Sequence, residues 1–170
     1  MLLVGVAGSS HPWENVVERG VAPLVEFPVI TGLDSKIATQ WKHSVLADGL
    51  ALPFRSQSFD FVVSNAVIEH VGQKEQQARF VAEHARVGRR WIITTPNRYF
   101  PIESHTSVIL KHWSASWRHR QSVFTRLVSR DEFRALLPPG SRVRGTRLGP
   151  TFLAVSPDLG TPAVGSKAPV

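Results

Sequence analysis

The chain has 170 residues, 42% of them hydrophobic, with a net charge of +7 and no cysteine. This length suits one domain with a full core, and the lack of cysteine excludes disulfides, thiolate metal sites and a cysteine nucleophile. Arg, His or Pro interrupts every apolar run before it could cross a bilayer, so we expect a soluble protein with no membrane span. The lack of cysteine suits a cytoplasmic location.

The positive charge is concentrated in one segment. Residues 1–97 carry nine basic and nine acidic residues, whereas residues 98–147 carry ten basic and three acidic residues. Such a segment is either a surface for an anionic partner, such as nucleic acid, or a solvated face of an arginine-rich protein. We favour the second interpretation, because Arg outnumbers Lys fifteen to five over the whole chain.

Short apolar runs alternate with segments of helical periodicity along the chain. Strands are predicted at Leu2–Ala7, Pro28–Leu33, Ser44–Ala47, Ser58–Ser64, Trp91–Thr95, Arg142–Leu148 and Thr151–Val155. Helices are predicted at Pro12–Arg19, Ser35–Trp41, Asn65–Val71, Gln73–Val87, Thr106–Trp113, Ser116–Val128 and Arg130–Leu137. Ser129 with Glu132 forms a capping-box pattern before the last helix.

This order predicts an α/β fold. We expect a Rossmann-like open twisted sheet, mostly parallel with a C-terminal antiparallel strand pair, and helices on both faces. The domain would cover residues 1–155, and residues 156–170, rich in Pro, Gly and Ser, would form a loose tail. Ligands of such sheets bind at the carboxyl ends of the strands, so functional residues are sought there.

Small or acidic residues follow each of the first three predicted strands. Gly5-Val6-Ala7-Gly8 is a turn where backbone amides can approach a ligand, although many such turns contain glycine for packing alone. Asp34 follows the second strand and could accept the hydroxyls of a ribose or begin the next helix. Asp48 follows the third strand.

The sequence ADGLALPFRSQSFDFVVSNAVIEHV, residues 47–71, resembles a known signature. It is similar to the class I S-adenosylmethionine-dependent methyltransferases, in particular the type 11 group, and TPNRYFPIE, residues 95–103, resembles a loop of some bacterial members. The resemblance implies S-adenosyl-L-methionine as cofactor, with Asp48 on the adenine amino group and a backbone amide of Gly49 or Leu50 on the ring. It also implies Asp34 on the ribose, the Gly5, Ala7 and Gly8 turn on the methionine, and Ser64 and Asn65 below the sulfonium.

Two features depart from the family pattern. Leu3 stands where members usually carry an acid, and Ala7 stands where they carry a second glycine. The sequence also begins on the first strand, without the helix that usually precedes it. These departures are also consistent with a relative of the family that is weakened or inactive.

The acceptor side is expected after the fifth strand. Arg98, Tyr99, Phe100 and Glu103 form an aromatic and charged cluster that could bind the substrate or pin the loop to the sheet. His105 and His70 are the candidate general bases, and each has an ordinary structural alternative. Glu69 with His70 does not make a metal site, and no metal is predicted.

We therefore expect an enzyme that transfers a methyl group to a small-molecule, lipid or glycan-intermediate acceptor by in-line displacement. A nicotinamide-dependent oxidoreductase ranks below it, because the turn lacks a full G-x-G-x-x-G pattern. The other alternative is a degenerate, non-catalytic fold that binds an anionic partner through residues 98–147. The acceptor's identity and the oligomeric state stay open.

Overall fold

The computed structural model describes residues 1–8, 15–100 and 125–160. Seven strands form one sheet, namely β1 Leu2–Val4, β2 Val29–Gly32, β3 Ser44–Leu46, β4 Phe59–Asn65, β5 Gly88–Pro96, β6 Arg142–Arg144 and β7 Thr151–Val155. The described α-helices are α1 Val16–Val21, α2 Ile37–Gln40, α3 Lys74–Val87 and α4 Arg130–Leu136. Short 3-10 helices cover Ala22–Leu24, Ile68–His70 and Pro157–Gly160.

The sheet has the strand order β3-β2-β1-β4-β5-β7-β6. The first five strands pair in parallel, with Leu2 opposite both Val29 and Val62, and β7 runs antiparallel between β5 and β6. The predicted α/β class, with an open, mostly parallel sheet and a C-terminal antiparallel pair, is therefore confirmed. Strand order reverses at β1 and β4, so the carboxyl ends of β1, β2, β3 and β4 share one edge of the sheet.

The main core lies where α3 and α4 cover the sheet. The predicted apolar face of α3 is buried, with Phe80, Val81, His84 and Val87 each no more than 1% exposed. The capping box that begins α4 is present, since Ser129 Oγ accepts from the Glu132 amide and Glu132 returns a carboxylate oxygen to the Ser129 amide.

Three helix predictions need correction. Helix α1 begins at Val16, and its apolar residues Val16 and Val17 are 58% and 40% exposed, whereas Glu18 is buried. The predicted helix 65–71 is wrong, because β4 pairs with β5 as far as Asn65, and Ala66 then takes φ 53°, which leaves only a 3-10 turn. Residues 125–128, predicted as the end of a helix, run extended, with Val128 bridging Asn97 in parallel.

The remaining element predictions differ at their ends or cannot be compared. Strand β5 is longer than predicted because Gly88 pairs with Phe59, and β6 is shorter. Ser156, where the tail was expected to begin, is 2% exposed, and its amide donates to the Trp91 carbonyl. The predicted helix Thr106–Trp113 lies outside the described residues. No helix in the described parts of the chain is long and apolar enough to span a membrane.

Candidate functional site

The turn after β1 and the acidic residues after β2 and β3 lie at one edge of the sheet. We call Gly5–Gly8, Asp34, Asp48 and Gly49 the acidic edge. A Cβ atom built on Gly8 would overlap the Asp34 carboxyl group, and one on Gly49 would lie 3.3 Å from Val4 Cγ1. The turn is thus in contact with Asp34, and the residue after Asp48 is in contact with the end of β1.

The backbone amides of the turn are largely used by the protein itself. Gly5 has φ 83° and lies against Val67, so a side chain does not fit there. The Gly5 and Val6 amides both donate to the Thr31 carbonyl at 2.9 Å. The Ala7 amide donates to Asn15 Oδ1, and Asn15 Nδ2 donates back to the Ala7 carbonyl. These three amides are therefore already hydrogen-bonded within the protein. What the turn offers a ligand is close approach to its backbone.

Both carboxylates of the acidic edge are exposed and use one oxygen locally. Asp34 Oδ1 accepts from the Lys36 amide at 2.9 Å, which begins the turn into α2, the alternative role considered for it. Asp48 Oδ1 accepts from the Leu50 amide at 2.8 Å, so that amide is already satisfied. The second oxygen of each carboxylate has no protein partner among the described residues and can accept from a ligand.

Two exposed leucines precede these carboxylates and were not singled out from the sequence. Leu33 directly precedes Asp34 and is 75% exposed, and Leu46, at the end of β3, is 61% exposed. Exposed apolar side chains beside hydrogen-bond acceptors suit a ligand with a planar ring and polar edges. A leucine one or two positions before each strand-end acid is the signal that could have identified them.

Helix α3 holds the loop that follows Asp48. Arg79 Nε donates to the Leu50 carbonyl at 2.8 Å, and the Leu52 amide donates to Glu83 Oε2 at 2.7 Å. Arg86 donates to the carbonyls of Leu52 and Phe54 and pairs with Glu83 at 2.7 Å. The hydrogen bond from Arg86 lowers the pKa of Glu83, and the nearby positive charge adds to the effect. We call Arg79, Glu83 and Arg86 the loop clamp.

The residues predicted below the sulfonium lie at the end of β4. Ser64 pairs with Val4 across the sheet and is 1% exposed, and its Oγ has no hydrogen-bond partner among the described residues. Asn65 is half-buried, and its Oδ1 accepts from Thr94 Oγ1 at 2.7 Å. The hydrogen bond with β5 therefore orients Asn65. Asn65 ends β4, and β4 lies next to β1, which leads into the turn of the acidic edge.

Beyond β5, several of the described polar side chains bind the protein itself. Asn97 is 2% exposed and donates to the carbonyls of Arg147 and Gly149. Arg98 donates twice to the Leu127 carbonyl and pairs with Glu132 at 2.9 Å. Arg126 donates to Gln77 Oε1 at 2.5 Å and lies 3.4 Å from Glu132. We call Arg98, Arg126, Glu132 and Gln77 the arginine network.

The predicted acceptor residues are only partly described. Tyr99 is 60% exposed, while Phe100 is half-buried and its amide donates to the Asn97 carbonyl. His70 is half-buried with Nδ1 3.3 Å from Thr125 Oγ1, so its ring faces the 125–128 segment. His105 and Glu103 lie outside the described residues. No three metal-ligating side chains meet within the described parts of the chain.

Neither of two surface cavities coincides with the acidic edge. One of about 400 Å³ is lined by Arg19, Ala22, Pro23, Gln40 and Trp41, which precede β2 and β3 and so lie toward the amino ends of the strands. Another of about 150 Å³ lies after β5, among Asn97, Tyr99, Arg130 and Arg147. The acidic edge is an exposed surface and is recognised by its chemistry rather than by concavity.

The sequence of residues 27–90 matches the family model described as a methyltransferase domain. This stretch of the chain is therefore similar to methyltransferase domains. The match runs from the residues before β2 into β5 and includes Asp34, Asp48 and the loop clamp, but neither the turn after β1 nor anything beyond Arg90.

Curated relatives match in short segments. Probable tRNA methyltransferase 9B of Bos taurus is 34% identical over 87 residues, 46% of this chain and 17% of that protein. The protein of the same name from Mus musculus is 46% identical over 43 residues, 25% of this chain and 10% of that protein. The matched segments thus span less than a fifth of each of these relatives.

Solved structures share the fold at low sequence identity. The protein solved in complex with the Trm112 methyltransferase activator of Haloferax volcanii has a TM-score of 0.64 and 13% identity, over 91% of this chain and 79% of that chain. An S-adenosylmethionine-dependent methyltransferase of Mesorhizobium loti has a TM-score of 0.62 and 12% identity, over 91% and 88%. Magnesium protoporphyrin IX methyltransferase of Synechocystis, solved with bound SAH, has a TM-score of 0.60 and 10% identity, over 91% and 71%. The fold is therefore that of the class I S-adenosylmethionine-dependent methyltransferases.

Proposed function

We propose that this domain transfers a methyl group from S-adenosylmethionine to a small-molecule, lipid or glycan-intermediate acceptor. The acidic edge carries this proposal: two exposed carboxylates, each with a spare oxygen, follow neighbouring strands beside a turn that touches one of them. An adenosine group presents ribose hydroxyls and an amino group, which are the donors that two such carboxylates accept.

In this proposal Asp34 binds the ribose, Asp48 binds the adenine amino group, and Leu33 and Leu46 contact the apolar faces. A bound sulfonium would supply an activated methyl group, which leaves the protein to orient the acceptor in line and to exclude water. Asn65, held by Thr94, lies at the strand end where the acceptor would approach. A hydroxyl acceptor would also need a base, for which His70 and His105 are the candidates.

Calorimetry with S-adenosylmethionine and S-adenosylhomocysteine tests the cofactor part. Asp48→Ala is expected to weaken binding of both at least tenfold, about 1.4 kcal/mol. Unchanged affinity would remove Asp48 from the site, and no binding by the wild-type chain would overturn the proposal. Transfer of a labelled methyl group to small-molecule, lipid and glycan fractions then identifies the acceptor class.

An RNA acceptor is the second candidate, and the relatives named as tRNA methyltransferases favour it. Their matches cover at most 46% of this chain, and Glu132 pairs with both Arg98 and Arg126, which offsets part of their positive charge. An RNA surface would depend on exposed arginines such as Arg134 and Arg144. Binding of mixed tRNA that falls steeply with salt would support this candidate, and no binding at low salt would end it.

A further inference from the structure

The loop clamp connects α3 to the backbone of the loop after Asp48. We propose that Glu83 and Arg86 are positioning residues for the cofactor, which fix the loop of residues 50–54 and thereby the direction of the Asp48 carboxylate. This inference rests on the proposed function, since it concerns how the same site is held in shape.

The contacts follow a regular pattern. Residues 50, 52 and 54 each present a backbone group to α3, and the clamp side chains are four and three residues apart on one helix face. Leu52 is bound on both sides, because its amide donates to Glu83 and its carbonyl accepts from Arg86. A short loop held at three alternate residues has little freedom to rotate.

The same constraint reaches Asp48 through two further contacts. Its Oδ1 is bonded to the Leu50 amide, and the Leu50 carbonyl is held by Arg79. Gly49 packs between the Phe80 ring and Val4, where a Cβ atom would lie 2.6 Å from the ring. A shift of the loop relative to α3 would therefore move the carboxylate as well.

The chemistry of the pair explains why these two residue types are needed. Arg86 uses Nε and Nη2 on Glu83 while Nη1 and Nη2 reach two carbonyls. The side chains of Arg86 and Glu83 are 35% and 16% exposed, so solvent screens the pair only partly. Lysine has no planar fork and cannot make these four contacts together.

Calorimetry with S-adenosylmethionine on two clamp variants and two matched controls tests the proposal. Glu83→Gln and Arg86→Lys are expected to raise the Kd at least fivefold, at a temperature where circular dichroism shows each variant folded. Glu75→Gln, an exposed position of the same helix, and Arg89→Lys, in an exposed pair with Asp60, should stay within twofold of the wild type.

The outcomes separate the two proposals. If the wild type binds and the clamp variants bind equally well with only a lower Tm, the pair is structural and the positioning role is overturned. If the wild type does not bind, the proposed function is overturned and the positioning role with it.

Hydrogen exchange on the wild type covers the case in which the clamp variants do not fold. Added S-adenosylmethionine should slow exchange of the Leu52 amide, which donates to Glu83, by a larger factor than exchange of the Phe133 amide in α4, which donates to the Ser129 carbonyl. An equal factor at both amides would overturn the positioning role, because the protection would then come from global stabilisation and not from the loop.

Discussion

The acidic edge and the arginine network both lie after strands of one sheet, yet they use their charges differently. Asp34 and Asp48 are exposed and keep one carboxylate oxygen each for a ligand. In the network, Arg98 and Arg126 donate to the backbone, to Gln77 and to Glu132. These two arginines of the most basic segment thus bind the protein itself, whereas the region of balanced charge presents the free acceptors.

This difference shows that charge composition does not reveal which charges are available. An arginine whose donors are satisfied by carbonyls and carboxylates adds little to the recognition of an outside anion. An exposed aspartate that satisfies one local amide still accepts with its other oxygen. Availability depends on hydrogen-bond partners, which only the folded chain reveals.

Acid titration should give the largest expected effect, and it should come from a core histidine outside both regions. Burial lowers the pKa of His84 from 6.5 to about 4, and its Nδ1 donates to the Phe80 carbonyl. Because the folded state favours the neutral ring, its contribution to stability is complete above pH 6.5 and is lost as the pH falls toward 4. Denaturant unfolding over this range should show a loss of about 3 kcal/mol.

His84→Leu is the control for that titration, because it keeps a buried apolar side chain without a proton site. Its free energy of unfolding should vary much less between pH 6.5 and 4.

Burial raises the pKa of Glu132, but hydrogen bonds with Ser129 and the charges of Arg98 and Arg126 outweigh it and lower the pKa overall. The arginine network should therefore fail only at lower pH, and a wild-type slope retained in His84→Leu would contradict this assignment.

Glu132→Ala should give the next largest effect, on stability alone. The change removes the side-chain partner of the Ser129 amide and the carboxylate that pairs with Arg98 and Arg126. A loss of about 2 kcal/mol is expected from the cap and the broken pairs. Asp131→Ala is the matched control, since its side chain is 73% exposed and its nearest pair is 3.6 Å away. Weaker binding of S-adenosylmethionine to folded Glu132→Ala would contradict the view that the arginine network contributes to stability alone.

Much of the fold could be predicted from the sequence. Buried parallel strands and α3 have a clear periodicity, and the Ser129 and Glu132 pattern gave the cap of α4 correctly. The turn at 65–71 was missed because Ala66 takes φ 53°, a conformation that an alanine does not signal. Residues 125–128 were missed because their extended course depends on Glu69, Gln77 and Arg98, all distant in sequence.

The candidate site was predictable in position but not in its hydrogen bonds. The resemblance indicated Asp34, Asp48 and the glycine turn, and the sheet brings them to one edge. That Asn15 occupies the Ala7 amide, or that α3 binds the loop backbone, could not be inferred, because such bonds join residues by geometry rather than by pattern. The roles of these residues in binding stay predictions.

Gly8→Ala should act on the acidic edge with a smaller effect. The added methyl group would overlap the Asp34 carboxyl group, which must rotate away. We expect S-adenosylmethionine affinity to fall about fivefold, about 1 kcal/mol, with little change in stability because Asp34 is exposed. Gly20→Ala is the control, since nothing lies within 4 Å of its added methyl group. If Gly8→Ala and Gly20→Ala bind S-adenosylmethionine with equal affinity, the turn and Asp34 do not belong to the binding site.

Arg147→Ala should give the smallest effect, although Arg147 lies in the most basic segment and beside Asn97. Its guanidinium is 3.6 Å from Asp131, and both side chains are more than 70% exposed, so the pair should contribute less than about 0.5 kcal/mol. The bond that matters is made by the Arg147 carbonyl, which accepts from Asn97 Nδ2 and remains in the variant. A measured loss well above that value would mean that the arginine network extends to the exposed pair of Arg147 and Asp131.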